Sequence, residues 1–544
     1  MSYKRYLSVS GWALHPSPSS LTPPDHARWS NKDMDPVPPN ERTWSSMSYV
    51  AYWISDAANV AVWQLASSMI AIGLSWGQAL LAIAIGHIII AVVMVLNGTV
   101  GARLHIAFPV LNRSSFGFWF SYFSVISRTV LAMFWFGIQT YTGSECVYQM
   151  LKAIWPSTGR IPNDLPEGAN ITTAGMMCYV IYWLIQLPLM LVSPQRIRYL
   201  FTVKAFIVPL TFLIILIWAM VKAPPSVSLT QSTTLGGGNF SWAWLAALNS
   251  ALGIYATLSV NIPDFTRYAK NERAQYVQLA IIPTAFTLIA FVGIAVTSAG
   301  QVMFGETLWD PTKFIDRAWN SSGSSGGRAA SFFASFAFAL ATVGTNISAN
   351  SLSAANDMTV LCPKYINIRR GQVICALIGG WVACPWEILN EAQGFLSFMS
   401  GYTVFLGPFA GIMVTDYWIV HKCKVDVRAM YDPHGRYRYW NGINWRAVVA
   451  LLFSVVPSLP GLAARINPAL GVNMGDVEHL FDIAWLYGFF TASVLYWSLS
   501  TFFPATETFV TDEGLEDLDV KDETSSDGVV NDEKDSSVYA QWRP

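Results

Sequence analysis

The chain has 544 residues, of which 53% are apolar and only 12% charged, with a formal net charge of −1. Apolar runs of about twenty residues, rich in Leu, Ile, Val, Phe and Trp, are the length a helix needs to cross a bilayer, so the chain reads as a polytopic membrane protein in contact with lipid. Basic residues sit in short loops and acidic ones gather at the C-terminal end, so net charge says nothing about a nucleic-acid partner and none is expected, and six scattered cysteines with no CxxC spacing or His cluster argue against a metal centre.

In chain order, residues 1–48 are polar and Pro-rich and lack the charged, apolar and small-residue succession of a cleavable signal peptide. Twelve spans are then predicted, near 50–75, 77–97, 118–150, 173–193, 199–222, 240–262, 276–303, 329–355, 371–390, 394–419, 446–466 and 480–503. An even number puts both tails on one side. Loops after even-numbered spans hold the larger share of Lys and Arg, from Arg103 and Arg113 through to Arg436 and Arg438, which predicts cytoplasmic termini. The last 40 residues are acidic and Ser-rich and cannot bury enough apolar surface to fold alone.

Spans 1 and 6 are expected to break near their middles: Asp56 and Asn59 interrupt "YWISDAANVAVWQL", and Gly253 and Pro263 punctuate span 6. Paired interruptions of this kind mark the midplane site of transporters built from inverted repeats, although kinked helices packed on small residues give the same pattern. Polar groups recur inside other spans, with Arg128, Gln139 and Glu145 in span 3, Lys204 in span 5 and Thr345, Asn346, Ser348 and Asn350 in span 8. Such groups face a bundle interior or a solvated cavity, because lipid offers them no partner.

Trp135 and Gln139 are four residues apart on one helical face. Two readings stand: core packing with an amide bonded to a neighbouring carbonyl, or a flat ring stacked on Trp135 with its N–H/C=O edge held by the carboxamide. In span 10, Gly394, Gly401 and Gly407 permit bending, and Phe395, Phe398 and Met399 are expected to close over a bound ring from outside. The "DPVPPNERTW" segment before span 1 is expected to latch onto Arg-rich cytoplasmic loops through Asp33, Asp35 or Glu41, and Lys521 and Lys534 are candidate modification sites recruiting ubiquitin-ligase machinery to the C-terminal tail.

Several long segments carry a resemblance: "NKDMDPVPPNERTW" (31–44), "HIAFPVLNRSSFG" (105–117), "FWFGIQTYTG" (134–143), "ATLSVNIPDFTRYAK" (256–270), "VGTNISANSLSAANDM" (343–358), "YINIRRG" (365–371) and "GPFAGIMVTDYW" (407–418). From about residue 31 to 503 the chain resembles the nucleobase cation symporter family, in its fungal Fur branch of uracil, allantoin, uridine and related permeases. The resemblance implies an all-α fold of twelve helices, a five-plus-five inverted repeat of the leucine-transporter type plus two C-terminal helices. It divides the chain into a cytoplasmic N-terminal tail (1–48), a transport core (49–419), a cytoplasmic loop (420–445), helices 11 and 12 (446–503) and an acidic tail (504–544).

It implies import of a nucleobase-like heterocycle at the plasma membrane by cation symport and no enzymatic activity or cofactor. A uridine or thiamine permease, or a non-transporting nutrient sensor, is the alternative. Carried over by position, the stacking tryptophan falls on Trp135, its amide partner on Gln139, the second aromatic on Tyr255 and the span 8 asparagine on Asn350, with Asn346 in support. The sodium ligands of relatives fall on Ala341, Gly344 and Thr345. Gly344 lacks a hydroxyl, so a proton is expected in place of Na⁺, with Asp56 and Lys204 as its candidate carriers.

Overall fold

The computed structural model describes residues 12–14, 29–192, 194–224, 235–467, 469 and 475–510, and these are almost entirely helical, with isolated bridges such as that between Trp44 and Ala269 in place of strands. The first expected span is two helices. α1 (Ser46–Ala57) begins on a Ser45/Ser48 capping box, and α2 (Val60–Ala71) restarts after Ala58 and Asn59. Asn59 is extended, and its Oδ1 accepts from the Ala61 N–H at 3.1 Å. An asparagine at this position supplies the acceptor that the broken helix has lost, so the interruption is encoded locally.

Beyond it lie α3 (Trp76–Leu104), α4 (Phe108–Phe116), α5 (Ser121–Ile154), α6 (Thr173–Met190), α7 (Pro194–Lys222), α8 (Gly237–Asn261) and the single turn α9 (Pro263–Thr266). α10 (Gln278–Phe304) and the short helix α11 (Pro311–Ala318) follow. α12 (Ser325–Thr345) then runs through a π-turn at Asn346–Ser351 into α13 (Leu352–Leu361). α14 (Ile368–Val382), α15 (Pro385–Ile388), α16 (Ala392–Gly401) and α17 (Thr403–Thr415) complete the core, and α18 (Trp445–Val455), α19 (Leu459–Ile466) and α20 (Ala484–Phe502) are added at its side.

Among the described residues, ten helical stretches are long and apolar enough to cross a membrane, while the expected first and ninth spans are occupied by the shorter pieces α1/α2 and α14. The expected break in the middle of span 6 is not present. α8 is continuous through Gly253 and ends only where Pro263 opens α9. Gly253 serves packing instead: a Cβ there would stand 2.4 Å from the Met399 carbonyl oxygen, so its hydrogen lets α8 and α16 touch.

Two helical bodies form the core. One combines α1/α2, α3, α8 and α10, the first, second, sixth and seventh expected spans. The other combines α5, α6, α12/α13 and α14, the third, fourth, eighth and ninth. Each body thus takes corresponding helices from both halves of a five-plus-five repeat. Close approach within the second body rests on Gly379, where a Cβ would meet the Met133 carbonyl at 2.7 Å. α7 leans on α10 and α12 and leaves Phe206, Leu210, Leu213, Ile217 and Val221 exposed, a stripe at helical spacing that suits lipid.

Candidate functional site

The two bodies face each other at the break between α1 and α2. From α5, Gln139 donates Nε2–H to Asn59 Oδ1 at 3.3 Å, and from α8 the Tyr255 hydroxyl reaches the Asp56 carbonyl at 3.4 Å. Asn350, on the π-turn, donates to Asn346 Oδ1 at 3.0 Å, and Asn346 donates back to the Phe136 carbonyl of α5 at 3.2 Å. Trp135 lies one turn before Gln139 on α5. Trp135, Gln139, Tyr255, Asn346 and Asn350, from three helical segments, are all buried around the α1/α2 break and the facing stretch of α5.

Their roles differ in detail. Trp135 meets Phe398 at 5.8 Å and Phe395 at 6.3 Å between ring centroids, both steeply inclined, and Phe395 stacks in turn on Trp309 at 6.3 Å. Two of the three expected gating residues thus cover the Trp135 ring, while Met399 turns its carbonyl to α8. Tyr255 is boxed by Phe286 at 4.4 Å, Trp53 at 5.9 Å and His87 at 6.1 Å inside the first body. It meets the site through its hydroxyl end. Asn346 is consumed by protein partners, donating also to Gln186 Oε1 at 3.0 Å and Thr140 Oγ1 at 3.2 Å. By contrast, Gln139 Oε1 is buried without a partner among the described residues, and an acceptor left in that state costs about 1–3 kcal/mol.

Behind the site, Lys204 of α7 is buried and donates from Nζ to Thr345 Oγ1 at 2.8 Å. A Cβ on Gly344 would stand 2.7 Å from Lys204 Cδ and 3.6 Å from Nζ, so the glycine makes the room that the lysine fills. Ala341 is fully buried on the same helix, one turn before Thr345, and Asp56 lies within Coulombic reach of Lys204. The carboxylates of Glu145 and Asp310 share Thr312, 2.9 and 2.8 Å from its hydroxyl.

The N-terminal segment, expected to latch through Asp33, Asp35 or Glu41, makes a set of hydrogen bonds to loop backbone. Asn31 donates to the Pro363 and Ile366 carbonyls at 3.2 and 3.3 Å, Asp33 Oδ2 accepts from the Ile368 N–H at 3.1 Å, and Arg267 takes the backbone oxygen of Asp33 at 2.8 Å. Asp35 pairs with Ser30, and Glu41 is exposed. Hydrogen bonds to loop backbone do the holding, because the peptide groups at the start of α14 and the end of α13 are unpaired donors and acceptors. Lys521 and Lys534 lie outside the described residues.

Sequence reasoning missed Asn59 as a partner of Gln139, and it missed Gln186 and Thr140 altogether. Gln186 stood out only as one amide in the apolar run "VIYWLIQLPLM".

Two packed helical bodies meeting at a broken helix, with buried amides and an aromatic at the break, define a multi-pass membrane permease. A family model described as "Permease for cytosine/purines, uracil, thiamine, allantoin" matches residues 36–488, and the chain belongs to that family. It is 37% identical over 491 residues to the allantoin permease of Saccharomyces cerevisiae, covering 88% of this chain and 77% of the relative, and 37% identical over 484 residues to the uracil permease of the same yeast, covering 87% and 76%. Mhp1, a nucleobase-cation-symport-1 family transporter in a closed conformation with bromovinylhydantoin bound, shares the fold: TM-score 0.68, 23% identity, 90% of this chain and 99% of Mhp1 covered.

Proposed function

We propose that this permease imports a nucleobase-like heterocycle of the uracil, allantoin or uric acid kind across the plasma membrane, by alternating access and in symport with a proton. The observation that carries the substrate class is the pairing of the Trp135 ring with the unpartnered Gln139 oxygen one turn away on α5. A flat amide-edged ring satisfies both at once. Phe395, Phe398 and Met399 form the outer gate, both termini are cytoplasmic, and Lys521 and Lys534 control turnover through ubiquitin ligation.

Competition of radiolabelled uracil uptake by allantoin, uric acid, uridine, cytosine, hydantoin and thiamine, in cells lacking other permeases, tests the substrate class. If no ring competes and none accumulates, the assignment is wrong.

The proton reading is supported by the Lys204 ammonium resting on Thr345 over Gly344, where sodium-coupled relatives would need a hydroxyl. A resident ammonium supplies the positive charge that Na⁺ would bring, and it can be loaded and unloaded as a proton carrier. Lys204→Met and Asp56→Asn are expected to flatten the dependence of uptake on external pH, and replacing external sodium by choline is expected to change nothing in the wild type. Unchanged pH dependence in both variants would sink the proton assignment.

A further inference from the structure

The direction in which each amide of the site points is fixed by partners that cannot be exchanged. Asn59 Oδ1 caps the Ala61 N–H at 3.1 Å, so it is an oxygen that faces Gln139, and Gln139 must present its nitrogen there, 3.3 Å away. Gln139 Oε1 is therefore on the opposite side, buried and without a partner among the described residues. Across the locus, the Asn346 nitrogen faces the Phe136 backbone carbonyl at 3.2 Å, an acceptor under any assignment, and it also faces Gln186 Oε1 at 3.0 Å. Gln186 is itself oriented, because its Nε2 donates at 2.8 Å to Thr140 Oγ1, whose single proton is spent on the Phe136 carbonyl at 2.7 Å. Asn346 must then show its oxygen to Asn350, which answers with nitrogen at 3.0 Å and turns its own oxygen away from Asn346.

We propose that Asn59 on one side, and Thr140, Gln186 and Asn346 on the other, are positioning residues that lock Gln139 and Asn350 with their carbonyl oxygens toward the substrate. The site then selects rings bearing N–H donors on two edges, a cyclic ureide, and refuses rings whose ring nitrogens are alkylated. This inference rests on the heterocycle reading of the same site and adds to it the polarity of recognition. It also makes Asn346 a support only, since its amide is spent on protein.

The test uses full-length transporter with a fluorescent tag to report surface delivery. Radiolabelled uracil and radiolabelled allantoin uptake are each challenged with the parent ring and its N-methylated derivatives, including 1-methyl-, 3-methyl- and 1,3-dimethyluracil. In the wild type each single methylation is expected to raise the inhibition constant at least about tenfold, and the dimethyl ring is expected not to compete. Asn59→Ser keeps a capping oxygen but is too short to reach Gln139, and Gln186→Leu removes an acceptor of Asn346. Both are expected to reduce the ratio of methylated to parent inhibition constants at the surface. A role in folding alone would lower surface signal or maximal rate and leave that ratio untouched, which overturns the proposal. Methylated rings that compete as well as their parents also overturn it while leaving the heterocycle reading standing, whereas failure of surface-delivered wild type to accumulate any ring removes both.

Discussion

Gln139 joins a met donor and an unmet acceptor in one buried side chain. Its nitrogen is paired with Asn59 and its oxygen is buried without a partner among the described residues, and on the proposed reading a substrate N–H meets that acceptor on binding. Gln139→Ala removes that acceptor and the tie to the α1/α2 break together. Uptake is expected to fall at least about tenfold with surface fluorescence unchanged, since a substrate hydrogen bond lost from a buried site is worth about 1–3 kcal/mol. Loss of surface signal with normal binding by the remaining protein would instead return Gln139 to a packing role. At this scale Trp135 and Gln139 were readable because helical spacing puts positions i and i+4 on one face. The partners of Gln139 were not, because Asn59 lies 80 positions away in the chain and nothing local links the two.

Among the elements, the break in the first span was legible and the break in the sixth was misread, for one physical reason. Asn59 caps the start of α2 with its own side chain, so its effect is written in its identity. A glycine inside an apolar run signals a bend or a close contact equally well, and in α8 it is the contact with α16 that holds. Gly253→Val is accordingly expected to push the Met399 carbonyl away, displace Phe395 and Phe398 from Trp135 and reduce uptake, measured beside Gly238→Ala, at a glycine with open space around it, as the control. Equal activity of the two variants would show that the α8–α16 contact is dispensable. The π-turn at Asn346–Ser351 gave no sequence signal of its own, yet it carries Asn346, which donates to α5, and Asn350, which donates to Asn346.

The whole molecule is tied together on the side that carries the N-terminal segment. Arg128 of α5 pairs with Asp357 of α13 and donates to Ser353 at 2.7 Å, Asn261 of α8 donates to the same Ser353 at 2.8 Å, and Asp264 of α9 accepts from the Phe108 N–H of α4 at 2.9 Å. The two bodies thus share one buried polar network, and the segment around Asn31 and Asp33 lies across the loops beside it. Removing residues 1–40 deletes those backbone bonds and the Met34 carbonyl that receives the Tyr431 hydroxyl at 2.7 Å, so transport rate or substrate range is expected to change. A truncated protein with wild-type kinetics would reduce the segment to packing.

His105 ends α3 with a left-handed φ of 56°, its ring bonded to the Arg267 carbonyl at 2.8 Å. Burial pushes its pKa down to about 4, against the smaller opposing effect of that hydrogen bond. The folded state therefore binds fewer protons than the unfolded one below pH 6.5, so the stabilisation is complete above that pH and is lost as pH falls toward 4. The melting temperature of detergent-solubilised protein is expected to decline over this window, less steeply in His105→Asn, where asparagine tolerates the same backbone.

Composition and hydropathy by themselves determined the membrane class and the helical segments, because a bilayer imposes length and polarity on each helix separately. Ordered motifs carried the family, and helical periodicity carried the Trp135–Gln139 face. Only the tertiary structure decided which amide faces which, that Gly344 is the space for Lys204, and that the N-terminal segment bonds to the backbone of the loop leading into α14. Those outcomes depend on pairs of groups far apart in the chain, whose meeting is set by how two helical bodies pack, and no local pattern encodes it.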